Sequence, residues 1–270
     1  MSMRFLDTGA LPGALNMAVD DVLLDAARGG GGPILRTYGW SPPAVSLGLG
    51  QRAREAVDVD RCRDLGIDIV RRPTGGRAVL HWNEITYSFH CAEGEGPAAH
   101  PLPEACRILG ECLAEGLRRG GVDVELAPGG RPGARHGACF ASASRWELTS
   151  GGRKLVGSAQ RRTRGALLQH GSLLAGPEHL RLAELIPAPR QGDPSLEAAS
   201  THLAECAGEP LDRDRLVGCL ATGFGHVLGL PVREAPLTPA ERRRAEVLAR
   251  ETYATEGHAL RATDAAPLSR

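Results

Sequence analysis

The sequence predicts an α+β fold, a mixed and largely antiparallel sheet with helices packed on it. Three observations carry this. Strand-length apolar runs cluster between residues 34 and 90 and again between 146 and 174, punctuated by glycine and proline turns. Helical spacing of apolar residues governs 14–27 and 103–119. From about residue 178 onward the pattern is mostly helical.

Taken in order, residues 14–27 place Leu15, Val19, Val22, Leu23 and Ala26 on one helical face, and Gly29 to Gly32 end the helix. Ile34–Trp40 and Ala44–Leu49 are predicted strands around the turn Ser41-Pro42-Pro43. Residues 52–65 are expected to be helical. Ile67–Arg72, Arg77–His81 and Ile85–His90 give three more strands, Pro103–Arg119 a helix and Val122–Leu126 a strand. An irregular segment, 127–137, leads into Cys139. Trp146–Leu148, Lys154–Ala159 and Ala166–Leu174 are predicted antiparallel strands joined by turns at Ser150-Gly151-Gly152 and Arg162–Gly165. Thr238, Pro239 and Glu241 form a capping signature that opens a basic helix reaching about Thr255. The expected organisation is an N-terminal helical segment over 1–32, the main body of the domain over 33–255, and a tail over 256–270.

With 32 basic and 32 acidic residues, no global field draws in nucleic acid or an anionic membrane. No stretch of about 18 apolar residues predicts a membrane span, and residues 1–7 lack a signal-peptide pattern, so a cytoplasmic protein is expected; a monomer is a separate expectation. Seven cysteines, none in a Cys-x-x-Cys pair, argue against a disulfide framework and a cysteine-rich zinc site. No metal or cofactor is expected. Cys106 and Cys112 fall on the apolar stripe of the 103–119 helix and are expected in the core.

Lys154 is the sole lysine among those 32 basic residues. Arginine replaces lysine wherever a solvated charge suffices, but it does not supply a compact ammonium whose donors converge on one small group. Position 154 is therefore a candidate for chemistry, with chance survival of a surface lysine as the alternative. Alternation along its strand is expected to put Lys154, Val156 and Ser158 on one face. Gly157 weakens that strand unless something passes close to it. In the segment 71–81, Gly75 and Gly76 between two strands let backbone approach a ligand, and Arg71, Arg72 and Arg77 are placed to face an anionic group. An arginine-rich hairpin is the plain alternative. His170 and Gly171 interrupt an apolar strand beside Gln169 and Ser172, as a pocket residue or as a satisfied core histidine. Cys139 stands 15 residues before Lys154, and a hairpin between them would put an ammonium beside a thiol, favouring the thiolate. A buried, inert cysteine is the other possibility.

Four segments in order, Arg71–His81, Glu84–Ser88, Gly152–Gln160 and Leu168–Ser172, resemble the lipoate/biotin protein ligase superfamily, as do the opening Leu15–Asp20 and Pro43–Gly48, and the resemblance runs over about residues 14–255. Within it, Ala138-Cys139-Phe140 followed by Trp146-Glu147-Leu148 resembles the cysteine-dependent octanoyltransferases. The resemblance implies that Cys139 takes octanoate from acyl carrier protein as a thioester and passes it to a lysine of a lipoyl domain, typically the glycine-cleavage H protein. It implies Cys139 and Lys154 as catalytic residues. Around the substrate it places Arg72, Gly75, Gly76, Arg77, His81, Val156, Gly157, Ser158, Ala159, Gln169, His170 and Gly171. Val79, Val156 and Leu168 would partly wall an apolar tunnel, and amides near Gly75, Gly76 and Gly157 would hold the carbonyl oxygen. The alternatives are an ATP-dependent lipoate ligase, an amidotransferase between lipoyl domains and a non-catalytic acyl binder. The pattern departs from relatives at Trp82-Asn83, where an acid often follows the motif histidine.

Overall fold

The computed structural model describes residues 1–128, 140, 144–163, 165–187, 194–207 and 212–260. Eleven strands are formed among them: β1 (Met3–Leu11), β2 (Ile34–Trp40), β3 (Ala44–Leu47), β4 (Asp68–Arg71), β5 (Val79–His81), β6 (Glu84–Ala92), β7 (Glu125–Leu126), β8 (Leu148–Ser150), β9 (Arg153–Thr163), β10 (Ala166–Leu174) and β11 (Val232–Glu234). The long helices are α1 (Gly13–Ala26), α2 (Leu102–Arg119), α3 (Arg213–Leu228) and α4 (Pro239–Leu248).

Eight strands make the main sheet in the order β11-β1-β2-β6-β10-β9-β8-β7, and β4-β3-β5 make a smaller one. The main sheet is parallel only at β11-β1-β2 and antiparallel from β2 onward. Its central strands β6 and β10 are buried on both faces because each face has its own helices. Phe5, Tyr87, Phe89, Leu155 and Val156 join Leu109, Leu113 and Leu117 of α2 and Leu220 and Phe224 of α3 in the largest core cluster. Leu6 and Ile34 pack instead with Val19, Val22 and Leu23 of α1 and Ala245 of α4. The small sheet has a third cluster, built on Val45, Leu47, Ile67 and Leu80 with Leu182 and Leu185. Burial at about 25 cal/mol per Å² makes these clusters the main source of stability.

The α+β expectation agrees with this architecture, and Ile34–Trp40 and Ala166–Leu174 have the predicted bounds. The Thr238–Glu241 capping box forms, and Glu241 also receives the Arg4 guanidinium in a two-pronged ion pair. The predicted strands Val122–Leu126 and Trp146–Leu148 are instead Glu125–Leu126 and Leu148–Ser150, and three further expectations differ. Residues 3–11 of the expected N-terminal helical segment are the strand β1. Residues 52–65 break into two short helices, Ala53–Ala56 and Val59–Asp64, of four and six residues. The expected tail begins with a helical turn, Glu256–Ala259, whose His258 and Ala259 carbonyls accept from Arg71. No helix among the described residues is long and apolar enough to cross a membrane.

Candidate active site

A largely apolar cavity lies between the two sheets, with about 500 Å³ of space between its atoms, part of it open to solvent. Strands β2, β6, β9 and β10 supply one side, β3, β5 and the loop before β5 the other, and Met17 of α1 contributes from one end. Its lining includes Tyr38, Trp40, Val79 and Phe140 as apolar walls, with Ser46, His81, Thr86 and Ser172 as polar groups.

The loop from Arg72 to Arg77 is held by buried arginines rather than aimed at an anion. Arg71 Nη1 donates to the carbonyls of Gly48 and Gln51 at 2.8 Å each. Arg72 Nη1 donates to Ser46 O and Oγ at 2.8 and 3.0 Å, and its Nη2 to Gly75 O and Arg77 O at 2.9 and 2.7 Å. Both are at most 5% exposed. The expectation that they face a substrate anion therefore gives way to a clamp on backbone carbonyls, which the chain would otherwise leave unsatisfied. Gly76 has φ of +97°, and a methyl on Gly48 would lie 2.0 Å from the Gly76 carbonyl oxygen, so both positions require glycine.

Strand β9 carries a bulge that the alternation rule does not foresee. Leu148 faces Val156, and Thr149 faces Lys154, so Leu155 is the extra residue. Leu155 and Val156 both enter the core on the α2 side. Lys154 is thereby moved to the face of Gly157, away from Val156. The Gly157 position is confined: a Cβ there would stand 2.9 Å from Phe140 Cζ and 3.3 Å from Lys154 Cε.

Lys154 is 2% exposed. Its Nζ lies 2.8 Å from Glu147 Oε2 and 4.9 Å from the centre of the Phe140 ring, a cation–π contact. Glu147 Oε1 accepts the Ser158 amide at 3.2 Å, and Oε2 accepts the Ser144 amide at 2.5 Å. The Thr201 amide donates to the Lys154 carbonyl at 2.9 Å, which fastens a distant segment to the same strand. Cys139, which precedes Phe140 in the chain, lies outside the described residues.

The structure distributes the other predicted residues unevenly. Arg72, Gly76, His81, Gly157, Ser158, Ala159, His170 and Gly171 line the cavity, as does Val79. Gly75 is exposed and offers its carbonyl to Arg72, and the Arg77 carbonyl does the same. Val156 is turned to the opposite face by the bulge. Gln169 also faces that side, where its Nε2 donates to Tyr87 Oη and its Oε1 accepts from Gln160. Leu168 packs with Leu24 and Ala166, farther along the sheet.

Several residues around the cavity escape the sequence argument. Asp20 is fully buried in α1 and collects Arg36 Nη1 at 2.7 Å, Ser88 Oγ at 2.8 Å and Tyr38 Oη at 3.1 Å, with His170 Nδ1 at 3.6 Å. Burial, the largest single effect, opposes its charge, but the Arg36 guanidinium together with His170 and His90 outweighs it and holds the carboxyl well below the usual range. Burial lowers His170 below the usual imidazole value, partly opposed by Asp20. Glu84 supplies His81 with a carboxylate, at 2.8 Å, that Trp82-Asn83 does not. Trp40 stacks on the His81 ring at 4.0 Å and donates to Thr86. Only the position of Asp20 in the Leu15–Asp20 motif hints at its role, since Asp21 and Asp25 share its helix.

Residues 12–225 match the model of the lipoyl protein ligase A/B catalytic domain. An octanoyltransferase LipM of Kyrpidia tusciae is 40% identical over 94% of this chain and 97% of its own length. One from Symbiobacterium thermophilum is 40% identical over 96% and 98%. A putative lipoate protein ligase from T. acidophilum shares the fold, with a TM-score of 0.79 and 24% identity over 96% of this chain and 99% of its own. A cavity between two sheets, closed by a glycine-bearing loop and flanked by a buried lysine, thus belongs to an acyltransferase of the lipoyl protein ligase A/B catalytic-domain family.

Proposed function

We propose that the chain is an octanoyltransferase of lipoate biosynthesis, which takes octanoyl from acyl carrier protein onto Cys139 and passes it to a lysine of a lipoyl domain such as the glycine-cleavage H protein. The observation that carries this reading is the buried Lys154 ammonium, paired with Glu147 and lying against Phe140, the residue that follows Cys139. The relatives named octanoyltransferase support the acyl group, at 40% identity over nearly the whole chain.

The Cys139 thiolate attacks the thioester carbonyl of the donor, the carbonyl oxygen takes up negative charge, and the phosphopantetheine thiolate departs and is protonated. In the second half the acceptor lysine enters as its neutral amine and attacks the Cys139 thioester. The C–S bond breaks, Cys139 leaves as thiolate, and the amine nitrogen gives up a proton to solvent. Lys154 acts in both halves, favouring the thiolate and stabilising the oxyanion. The loop at Gly75–Gly76 and Gly157 flank the carbonyl, and the apolar walls at Val79, Tyr38 and Met17 take the alkyl chain. Each buried methylene contributes about 0.8 kcal/mol, enough to select chain length within a carbon or two.

Because the donor is already activated, no nucleotide is needed. Incubation with octanoyl-acyl carrier protein in nucleotide-free buffer should add one octanoyl group to Cys139, detected by peptide mass spectrometry and removed by hydroxylamine. Cys139→Ser should abolish transfer to the acceptor. A strict requirement for ATP with free lipoate, or near-normal transfer by Cys139→Ala, would overturn the thioester route.

A further inference from the structure

Two buried chains of polar groups reach the Arg72–Arg77 loop, one from α1 and one from the start of β6. From α1, Asp20 Oδ2 stands 3.6 Å from His170 Nδ1, and His170 Nε2 lies 2.6 Å from Thr74 Oγ1. From the start of β6, Glu84 Oε1 lies 2.8 Å from His81 Nδ1, and His81 Nε2 lies 2.7 Å from Ser46 Oγ. Ser46 Oγ in turn accepts from Arg72 Nη1 at 3.0 Å.

The order of groups is the same in both: carboxylate at Nδ1, imidazole, hydroxyl at Nε2. A carboxylate facing Nδ1 selects the tautomer protonated there and leaves Nε2 as an acceptor. Thr74 and Ser46 then each donate to a ring nitrogen. That fixes the rotamer of Thr74, whose carbonyl accepts the Leu49 amide at 2.8 Å, and frees the Ser46 lone pairs for Arg72. Arg72 grips Gly75 and Arg77 through its remaining donors. Asp20, Thr74 and Ser46 are at most 1% exposed, so bulk water does not compete for these bonds. The loop itself contains two successive glycines, one at positive φ, and has little conformational preference of its own.

We propose that Asp20 and Glu84 are positioning residues for the Arg72–Arg77 loop, acting through His170–Thr74 and His81–Ser46–Arg72, and that they set the affinity for the acyl donor. The second clause rests on the proposed function, in which Gly75 and Gly76 flank the acyl carbonyl.

Two measurements on the full-length chain decide it. Hydrogen exchange of peptides spanning 72–80 should quicken at least tenfold in Thr74→Val and stay within twofold of wild type in Thr74→Ser, which keeps the hydroxyl. In steady-state assays Thr74→Val should raise KM for octanoyl-acyl carrier protein at least fivefold with kcat within twofold, and Thr74→Ser should restore it. Glu84→Gln tests the other arm and should quicken the same peptides. Asp20→Asn should reproduce Thr74→Val, and if it fails to fold because Arg36 is left unpaired, Thr74→Val still decides. Unchanged exchange and KM in Thr74→Val, or equal damage from Thr74→Val and Thr74→Ser, would overturn the proposal. If wild type forms no octanoyl adduct on Cys139, the assigned function fails instead, and the exchange comparison still tests the positioning role.

Discussion

Lys154 Nζ and Glu147 Oε2 are 2.8 Å apart, with side chains only 2% and 9% exposed. Removing one partner of a buried pair strands the other charge, at a cost of about 3–5 kcal/mol, whereas removing both is far milder. Glu147→Ala should therefore lose about 3 kcal/mol of unfolding free energy in urea at pH 7. Adding Lys154→Met should recover at least half of it. A double variant whose loss equals the sum of the single losses would show that the pair is not coupled.

Lys154→Arg keeps the charge and should still fail. The ammonium occupies a site bounded by Glu147, the Phe140 ring and Gly157, and a planar, wider guanidinium does not fit the same converging geometry. Octanoyl transfer should fall at least tenfold, about 1.4 kcal/mol of transition-state stabilisation. Lys154→Ala should fall further and move the pH profile of Cys139 alkylation upward. An Arg variant with wild-type kcat/KM and alkylation profile would make the sole lysine an accident of composition.

Gly157→Ala probes the same space from the strand. Its methyl would stand 2.9 Å from Phe140 Cζ, so the ring must shift, with a loss of about 1–3 kcal/mol and at least a tenfold drop in transfer. Gly218 in α3 has open space where a methyl group would stand, with nothing within 4 Å, and Gly218→Ala should instead stabilise by about 1 kcal/mol with transfer unchanged. Thermal melts and transfer assays of the two variants separate local crowding from any general intolerance of alanine.

Stability should fall as the medium is acidified below neutrality. Burial lowers His90 from 6.5 to about 4, and lowers His170 in the same direction. Both are neutral when folded, so the unfolded chain binds more protons as pH drops below 6.5. Their contribution is complete above 6.5 and is lost progressively toward about 4. For His90 this amounts to about 3 kcal/mol over that window. Asp20, depressed rather than raised, adds a further loss only at still lower pH. Urea midpoints at pH 7 and pH 5 should differ accordingly, and His90→Gln should flatten the dependence.

The regular elements and the motif segments are legible because periods of 3.6 and 2 mark faces that the fold buries. Lys154 shows where this stops. Alternation assigns it to the face of Val156, but the register slip at Leu155 reverses the assignment, and a bulge has no signature in Arg153-Lys154-Leu155-Val156. Strand β1 is hidden for a related reason. Phe5 enters one core and Leu6 the other, so no polar face alternates, while Arg4 is satisfied by Glu241 at a separation of 237 residues. Asp20 looks like an ordinary surface acid until Arg36 and Ser88 on distant strands supply its partners, whereas the partners of Glu84 and Glu147 lie close in sequence but are not marked by any period.

The pairing of Met3 with Val232, Arg4 with Arg233 and Phe5 with Glu234 has a consequence for biogenesis. As the chain emerges from the ribosome, β1 is made first but finds its outer neighbour only after more than two hundred further residues. Until then one long edge of the main sheet offers unpaired amides and carbonyls to any passing strand. Contacts so distant in sequence slow folding and lengthen that exposure. The nascent chain therefore carries this risk until late in synthesis, when β11, short and exposed though it is, covers the Met3–Phe5 stretch of the edge and becomes the outermost strand.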